Sequence, residues 1–191
     1  MNLPNKLTVL RICMTPFFLV ALLYNFPHHH LVALLIFAAA SLTDMIDGNI
    51  ARSRNLITDF GKFLDPLADK MLTTAAFLGF IQLNLGKGIV WITFIVLIRE
   101  FLITSLRLVS AGKGTVIAAN IWGKAKTVSQ MAAIILTIFG QYLLYLLPEN
   151  LVLTLCVDLI TNISLWISAV MTVISGVIYL VQNGKYIDPK K

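Results

Sequence analysis

Asp44-Met45-Ile46-Asp47-Gly48-Asn49-Ile50-Ala51-Arg52, followed at fixed distances by Gly61, Asp65 and Asp69, is the stretch that decides how this chain is read. Residues 44–69 hold five of the nine acidic residues of a chain that is otherwise largely apolar. An ionised carboxylate in or beside hydrocarbon is expensive, so such acids point to a site rather than to decoration. The spacing is helical. Asp44 and Asp47 are three apart and Asp65 and Asp69 four apart, so each pair shares one face of its helix. Two helices presenting two carboxylates each, joined by a short basic turn, can hold one or two hard divalent cations.

The rest of the chain says where those helices sit. Its 191 residues are 58% hydrophobic and 13% charged, with a mean hydropathy of +0.86. A soluble domain is about a quarter charged, so this composition reads as a membrane-embedded protein. No linker rich in Ser, Gly or Pro divides it, and residues 1–191 read as a single domain. The first apolar run is too long for a cleavable signal peptide and lacks a small-residue cleavage site.

A span needs about 20 apolar residues. Six segments qualify: 7–26, 31–50, 67–85, 89–109, 121–147 and 151–181. The fold class expected is therefore an all-α integral membrane bundle of six helices. Turn signals separate the segments at Asn25-Phe26-Pro27, Gly86-Lys87-Gly88, Ala111-Gly112-Lys113-Gly114-Thr115 and Pro148-Glu149-Asn150. Lys6, Arg11, Arg52, Arg54, Lys62, Lys113, Lys124, Lys126, Lys185, Lys190 and Lys191 all fall on one side. The other side receives His28-His29-His30, Lys87 and Glu149. Basic residues accumulate on the cytoplasmic side, which puts both termini and the Asp motif there, in the cytoplasmic membrane. The His tract reads as an interfacial loop, Trp91 and Trp122 as belt aromatics, and Trp166 as packing. Cys13 and Cys156 read as small buried hydrophobes with no disulfide.

The other motif positions fit around an anion. Gly48, Gly61 and Ala51 allow close approach of a backbone or ligand, and Arg52 offers a planar fork suited to phosphate. Carboxylates for metal, small residues and an arginine together describe a metal–diphosphate site, suited to substitution at phosphorus. The pattern D-x2-D-G-x2-A-R-x8-G-x3-D-x3-D, met here at all eight fixed positions, resembles the signature of the CDP-alcohol phosphotransferases. That resemblance implies a six-helix membrane enzyme and a homodimer. It also implies donation of a phosphatidyl group from CDP-diacylglycerol to an alcohol, with release of CMP. It implies divalent metal, Mg2+ or Mn2+ and two ions, on Asp44, Asp47, Asp65 and Asp69, with Asp69 as the catalytic base. Gly48, Ala51, Arg52 and Gly61 would then line the CDP-diacylglycerol site.

Further local likenesses point to the acceptor. Residues 3–11, Arg99-Glu100-Phe101, Leu106-Arg107 and Gly123-Lys124-x-Lys126-Thr127-x2-Gln130 resemble the bacterial branch of that family that uses sn-glycerol 3-phosphate. An anionic acceptor needs fixed cations, and Arg107, Lys124 and Lys126 fall at the level of the Asp cluster. Arg11 reads as a further phosphate contact, and Asn5 and Thr8 as contacts to the donor; capping and membrane anchoring are the plainer account of these three. Arg99 and Glu100, as sequence neighbours, are expected to point apart and not to pair with each other. Asp158 is then the candidate partner for Arg99, in an interhelical ion pair or a support for the acceptor site. Asp59 reads as a solvated loop acid, and Lys113 as an anchor.

Two other readings compete. The acceptor can be another alcohol, such as inositol phosphate or phosphatidylglycerol. Intramembrane carboxylates also line cation transporters and channels. Against transport, the acids cluster at one membrane face, and no inverted repeat accompanies them. The basic residues have no soluble domain to carry them, which argues against nucleic acid.

Overall fold

The computed structural model describes the backbone of residues 3–53, 59–112 and 120–184; the side chains of 3, 4, 44–53, 59–63, 65, 66 and 69 lie outside the described residues. Six helices follow one another: α1 (Leu3–Leu23), α2 (His29–Ser53), α3 (Asp59–Gln82), α4 (Ile89–Gly112), α5 (Ile121–Leu146) and α6 (Leu151–Asn183). No strand occurs among the described residues.

Four of the helices are long and apolar enough to cross a membrane, over Asn5–Leu23, Ile89–Gly112, Ile121–Leu146 and Leu151–Asn183. The apolar part of α2 is shorter, His29–Thr43, and stops immediately before Asp44. Asp59, expected in a loop, is the first residue of α3. His29 and His30, expected in a loop, open α2, and only His28 stays in the turn, with a φ of 59°. Lys113 and Arg54 lie outside the described residues.

Local chemistry sets the helix ends. Asn120 caps α5 by accepting from the Gly123 N–H at 2.8 Å, and Asn150 caps α6 by accepting from Leu153 at 3.0 Å. After α3 the chain turns through Asn84 at φ 53°, with Leu85 N–H donating to Phe80 O and Asn84 N–H to Ile81 O. Those two bonds form a Schellman motif, which satisfies carbonyls that the helix end would orphan. The turn is pinned to α6, whose Trp166 indole donates to Lys87 O at 3.1 Å. Trp166, expected to pack, does so half-exposed and against this turn.

α5 and α6 form an antiparallel pair, with α1 packed on α2 and α3, and α4 on α6 and α3. α5 and α6 approach closely at Gly140, where a Cβ would stand 2.7 Å from Val157 Cγ1. The main core gathers Phe18, Leu22, Phe37, Phe77 and Phe80, with Phe18 and Phe37 in ring contact at 5.6 Å. The outer surface is equally apolar: Phe17, Trp91, Phe94, Phe101, Leu108 and Val181 all face outward. Cys13 and Cys156 are exposed too, contrary to expectation. In hydrocarbon an apolar side chain gains nothing by turning inward, so apolarity does not mark the interior. Polarity does: Thr8, Arg11, Lys126, Gln130, Ser168 and Thr172 are buried.

Candidate active site

The helical backbone places the Asp motif on two adjoining helix ends. Asp44, Asp47, Gly48, Ala51 and Arg52 occupy the last turns of α2, and Gly61, Asp65 and Asp69 the first turns of α3. Both segments that carry the motif are helical in the backbone. The motif side chains themselves lie outside the described residues. Among the described residues no group of three or more His, Cys, Asp or Glu side chains could hold a metal ion.

Beside these helix ends lies a cavity of about 570 Å³, the size of a small-molecule site. It touches α2 at Ser41, one turn before Asp44, and α3 at Lys70, the residue after Asp69. Its cations come from four helices: Arg11 from α1, Lys70 from α3, Arg99 and Arg107 from α4, and Lys124 and Lys126 from α5. Glu100 is the one acid among the described residues that line it. The structure thus brings together all four residues expected to hold the acceptor phosphate: Arg11, Arg107, Lys124 and Lys126. Asn5 and Thr8 are buried on α1, one to two turns before Arg11, and are not part of the cavity wall.

Glu100 organises this charge. Its carboxylate accepts from Lys126 Nζ and stands 3.6 Å from Lys70 Nζ and 3.6 Å from Arg99 Nη1. Arg99 and Glu100 therefore do approach one another, against the expectation that neighbours in a helix point apart. Their Cβ atoms diverge, but both side chains are long enough for their tips to converge on the cavity. Among the described residues, Glu100 supplies the carboxylate that faces these cations.

The partner proposed for Arg99 is also corrected. Its Nη2 donates to Ser175 Oγ at 2.8 Å, not to Asp158. Asp158 is exposed and lies four to five turns earlier in α6, roughly 25 Å along the axis. α4 and α6 run parallel, so Arg99 faces the late part of α6. One pair of turns further on, Arg107 Nε donates to Tyr179 Oη at 3.0 Å, and its guanidinium carbon lies 5.5 Å from the Tyr179 ring centre. On α5, Gln130 Nε2 donates to Thr172 Oγ1 at 3.1 Å. Ser168, Thr172, Ser175 and Tyr179 share one face of α6. Four polar residues at that spacing in an apolar helix were the available signal, and the sequence reading passed over it.

Long apolar helices, with four aspartates on adjoining ends beside a cavity lined by six cations among the described residues, define a helical membrane protein with a charged site. The chain matches the family model for CDP-alcohol phosphatidyltransferase over residues 1–174, and it belongs to that family. It is 42% identical to a CDP-diacylglycerol–glycerol-3-phosphate 3-phosphatidyltransferase of Bacillus subtilis, over 95% of both chains. Proteins of the same name from Rickettsia bellii, at 35% identity over 97% of both chains, and Haemophilus influenzae, at 33% over 98% and 96%, are also similar.

Proposed function

We propose that this chain transfers the phosphatidyl group of CDP-diacylglycerol to sn-glycerol 3-phosphate, giving phosphatidylglycerophosphate and CMP. The observation that carries the choice of acceptor is the cavity wall, where the described residues bring six cations against one carboxylate, next to the Asp helices. An uncharged alcohol needs no such wall, and a cation pathway is opposed by it. The names of the relatives support the same reaction.

In this reading the glycerol 3-phosphate phosphate is held by Arg11, Arg107, Lys124 and Lys126, with Lys70 adding positive potential at the α3 side. Asn5, Thr8, Gly48, Ala51, Arg52 and Gly61 belong to the donor side, where the small residues admit the cytidine diphosphate and Arg52 meets its charge. The donor set of Asp44, Asp47, Asp65 and Asp69 fits hard divalent cations, since it offers only carboxylate oxygens from helical same-face pairs. Bound there, two Mg2+ or Mn2+ ions would neutralise charge on the attacking and leaving oxygens. Asp69 takes the proton from the acceptor hydroxyl. That oxygen forms a bond to the phosphorus bearing the diacylglycerol, and the bond from this phosphorus to CMP breaks.

The same reading makes residues 1–191 one domain with all six helices in the cytoplasmic membrane, both termini and the site facing the cytoplasm, and the enzyme a homodimer. The one-sided placement of Lys and Arg supports the orientation.

The test is release of CMP from CDP-diacylglycerol by purified protein in detergent. Glycerol 3-phosphate, inositol phosphate, inositol, serine and phosphatidylglycerol would be offered in turn, with Mg2+, Mn2+ or chelator. Metal-dependent release with glycerol 3-phosphate alone is expected. Release with another acceptor only would overturn the assignment of the cationic cavity, and release in chelator would overturn the metal role of the aspartates.

A further inference from the structure

Three contacts tie the cavity to α6 from behind. Ser175 accepts from Arg99, Tyr179 from Arg107, and Thr172 from Gln130, each between side chains of different helices. The three α6 residues are almost fully buried, Tyr179 to 1% exposure. Gly176 belongs to the same face: a Cβ there would come within 3.2 Å of Arg99 Cγ, so the glycine leaves room for the arginine stem. Thr172 in turn donates to Ser168 O at 2.6 Å, which fixes its hydroxyl and leaves its lone pairs for Gln130. Ser175 and Tyr179 lie just past residues 1–174, the part matched by the family model.

An arginine that reads a phosphate does so through its fork, and a long side chain must be held to present it. Tyr179 engages Nε of Arg107 and backs the guanidinium with its ring, which leaves the terminal amino groups for the cavity that Arg107 lines. Ser175 does the same for one amino group of Arg99. Arg107 is otherwise half in the open, and its rotamers are the ones most in need of restraint.

We infer that the late face of α6, through Tyr179 and Ser175, is a positioning element that sets the arginines of the acceptor cavity for the phosphate of the acceptor. The inference rests on the reading of that cavity as the glycerol 3-phosphate site. These residues touch no substrate; they act through Arg107 and Arg99.

The test is steady-state kinetics of the purified full-length enzyme with each substrate varied in turn. Tyr179→Phe keeps the ring and removes only the hydroxyl acceptor. It is expected to raise KM for glycerol 3-phosphate about five- to tenfold, the size of one ordinary hydrogen bond, since the bond lost is to the arginine and not to the phosphate itself. KM for CDP-diacylglycerol and kcat should stay within about twofold, since neither depends on that bond. Arg107→Lys keeps the charge but has no Nε for Tyr179, so adding Tyr179→Phe to it should change nothing further. Thr161→Val, a buried hydroxyl on α6 away from the cavity, should leave both KM values as they are.

A multiplicative effect of Tyr179→Phe and Arg107→Lys would overturn the inference, as would an equal rise in Thr161→Val. If Arg107→Ala raises KM for the acceptor but Tyr179→Phe does not, the cavity reading stands and the positioning role falls. If Arg107→Ala leaves that KM unchanged, the acceptor site itself has been misplaced and both fall. Should Tyr179→Phe not yield monodisperse protein, Ser175→Ala carries the same expectation through Arg99, and an unchanged acceptor KM there overturns it.

Discussion

Replacing Lys126 separates the two roles that its position allows. The side chain is 5% exposed and its ammonium contacts the Glu100 carboxylate inside the cavity. As a structural brace it would matter as a counter-charge, to Glu100 among the described residues; as an acceptor contact it would matter to phosphate. Breaking a buried pair by removing one partner costs about 3–5 kcal/mol. Here Glu100 keeps Lys70 and Arg99, each at 3.6 Å, so we expect Lys126→Met to cost about 1–3 kcal/mol of stability. Losing a hydrogen bond to the acceptor phosphate is worth about 1.5–3 kcal/mol, or roughly 10- to 150-fold in KM. Uncovering the Glu100 carboxylate beside an anion pushes in the same direction. Combining Lys126→Met with Glu100→Gln removes both members of the pair and should recover part of the stability, since the Glu100 charge no longer stands without Lys126. It should not restore the acceptor KM. Thermal unfolding in detergent reads the first quantity, and initial rates with each substrate varied read the second. A double variant with wild-type KM for glycerol 3-phosphate, or a donor KM that rises in step with the acceptor KM, would refute the reasoning and leave Lys126 as a brace.

Three further outcomes follow from the same account. Asp65→Asn should abolish CMP release, by more than about a thousandfold, while the melting profile in detergent stays that of a folded protein; a fully active variant would count heavily against the metal role. Inorganic phosphate should inhibit competitively against glycerol 3-phosphate and not against CDP-diacylglycerol, because the cavity cations bind the phosphate itself; glycerol without its phosphate should be a poor acceptor, and equal rates with glycerol would contradict the role of the cavity. Gly140→Ala places a methyl group 2.7 Å from Val157 Cγ1 and should lower stability by about 1–3 kcal/mol with both KM values unchanged, and Val157→Ala should rescue it.

What the sequence made legible was whatever depended on spacing and charge. The Asp motif declared itself because carboxylates at three- and four-residue intervals are costly in a membrane chain, and the helices run through those positions. Arg11, Arg107, Lys124 and Lys126 could be grouped because basic residues are expected to gather on one membrane side, and the cavity brings them together. What stayed hidden depended on which way side chains turn. Cys13 and Cys156 face outward because a bilayer accepts thiols as readily as a core does. Arg99 and Glu100 meet at their tips although their Cβ atoms diverge, and Arg99 bonds Ser175 rather than Asp158 because α4 and α6 run parallel. The polar face of α6 was visible as Ser168, Thr172, Ser175 and Tyr179, yet hydroxyl residues bond their own helix carbonyls so readily that the pattern alone names no partner. Ser168 and Thr172 do so here.

The most direct test of the account is an experimental structure of the purified protein with glycerol 3-phosphate and Mg2+ bound. The account predicts the acceptor phosphate within about 3 Å of Arg107, Lys124 and Lys126, with the glycerol hydroxyl directed toward Asp69. A phosphate seated away from these cations, with the cavity between α3, α4 and α5 filled by something else, would contradict it.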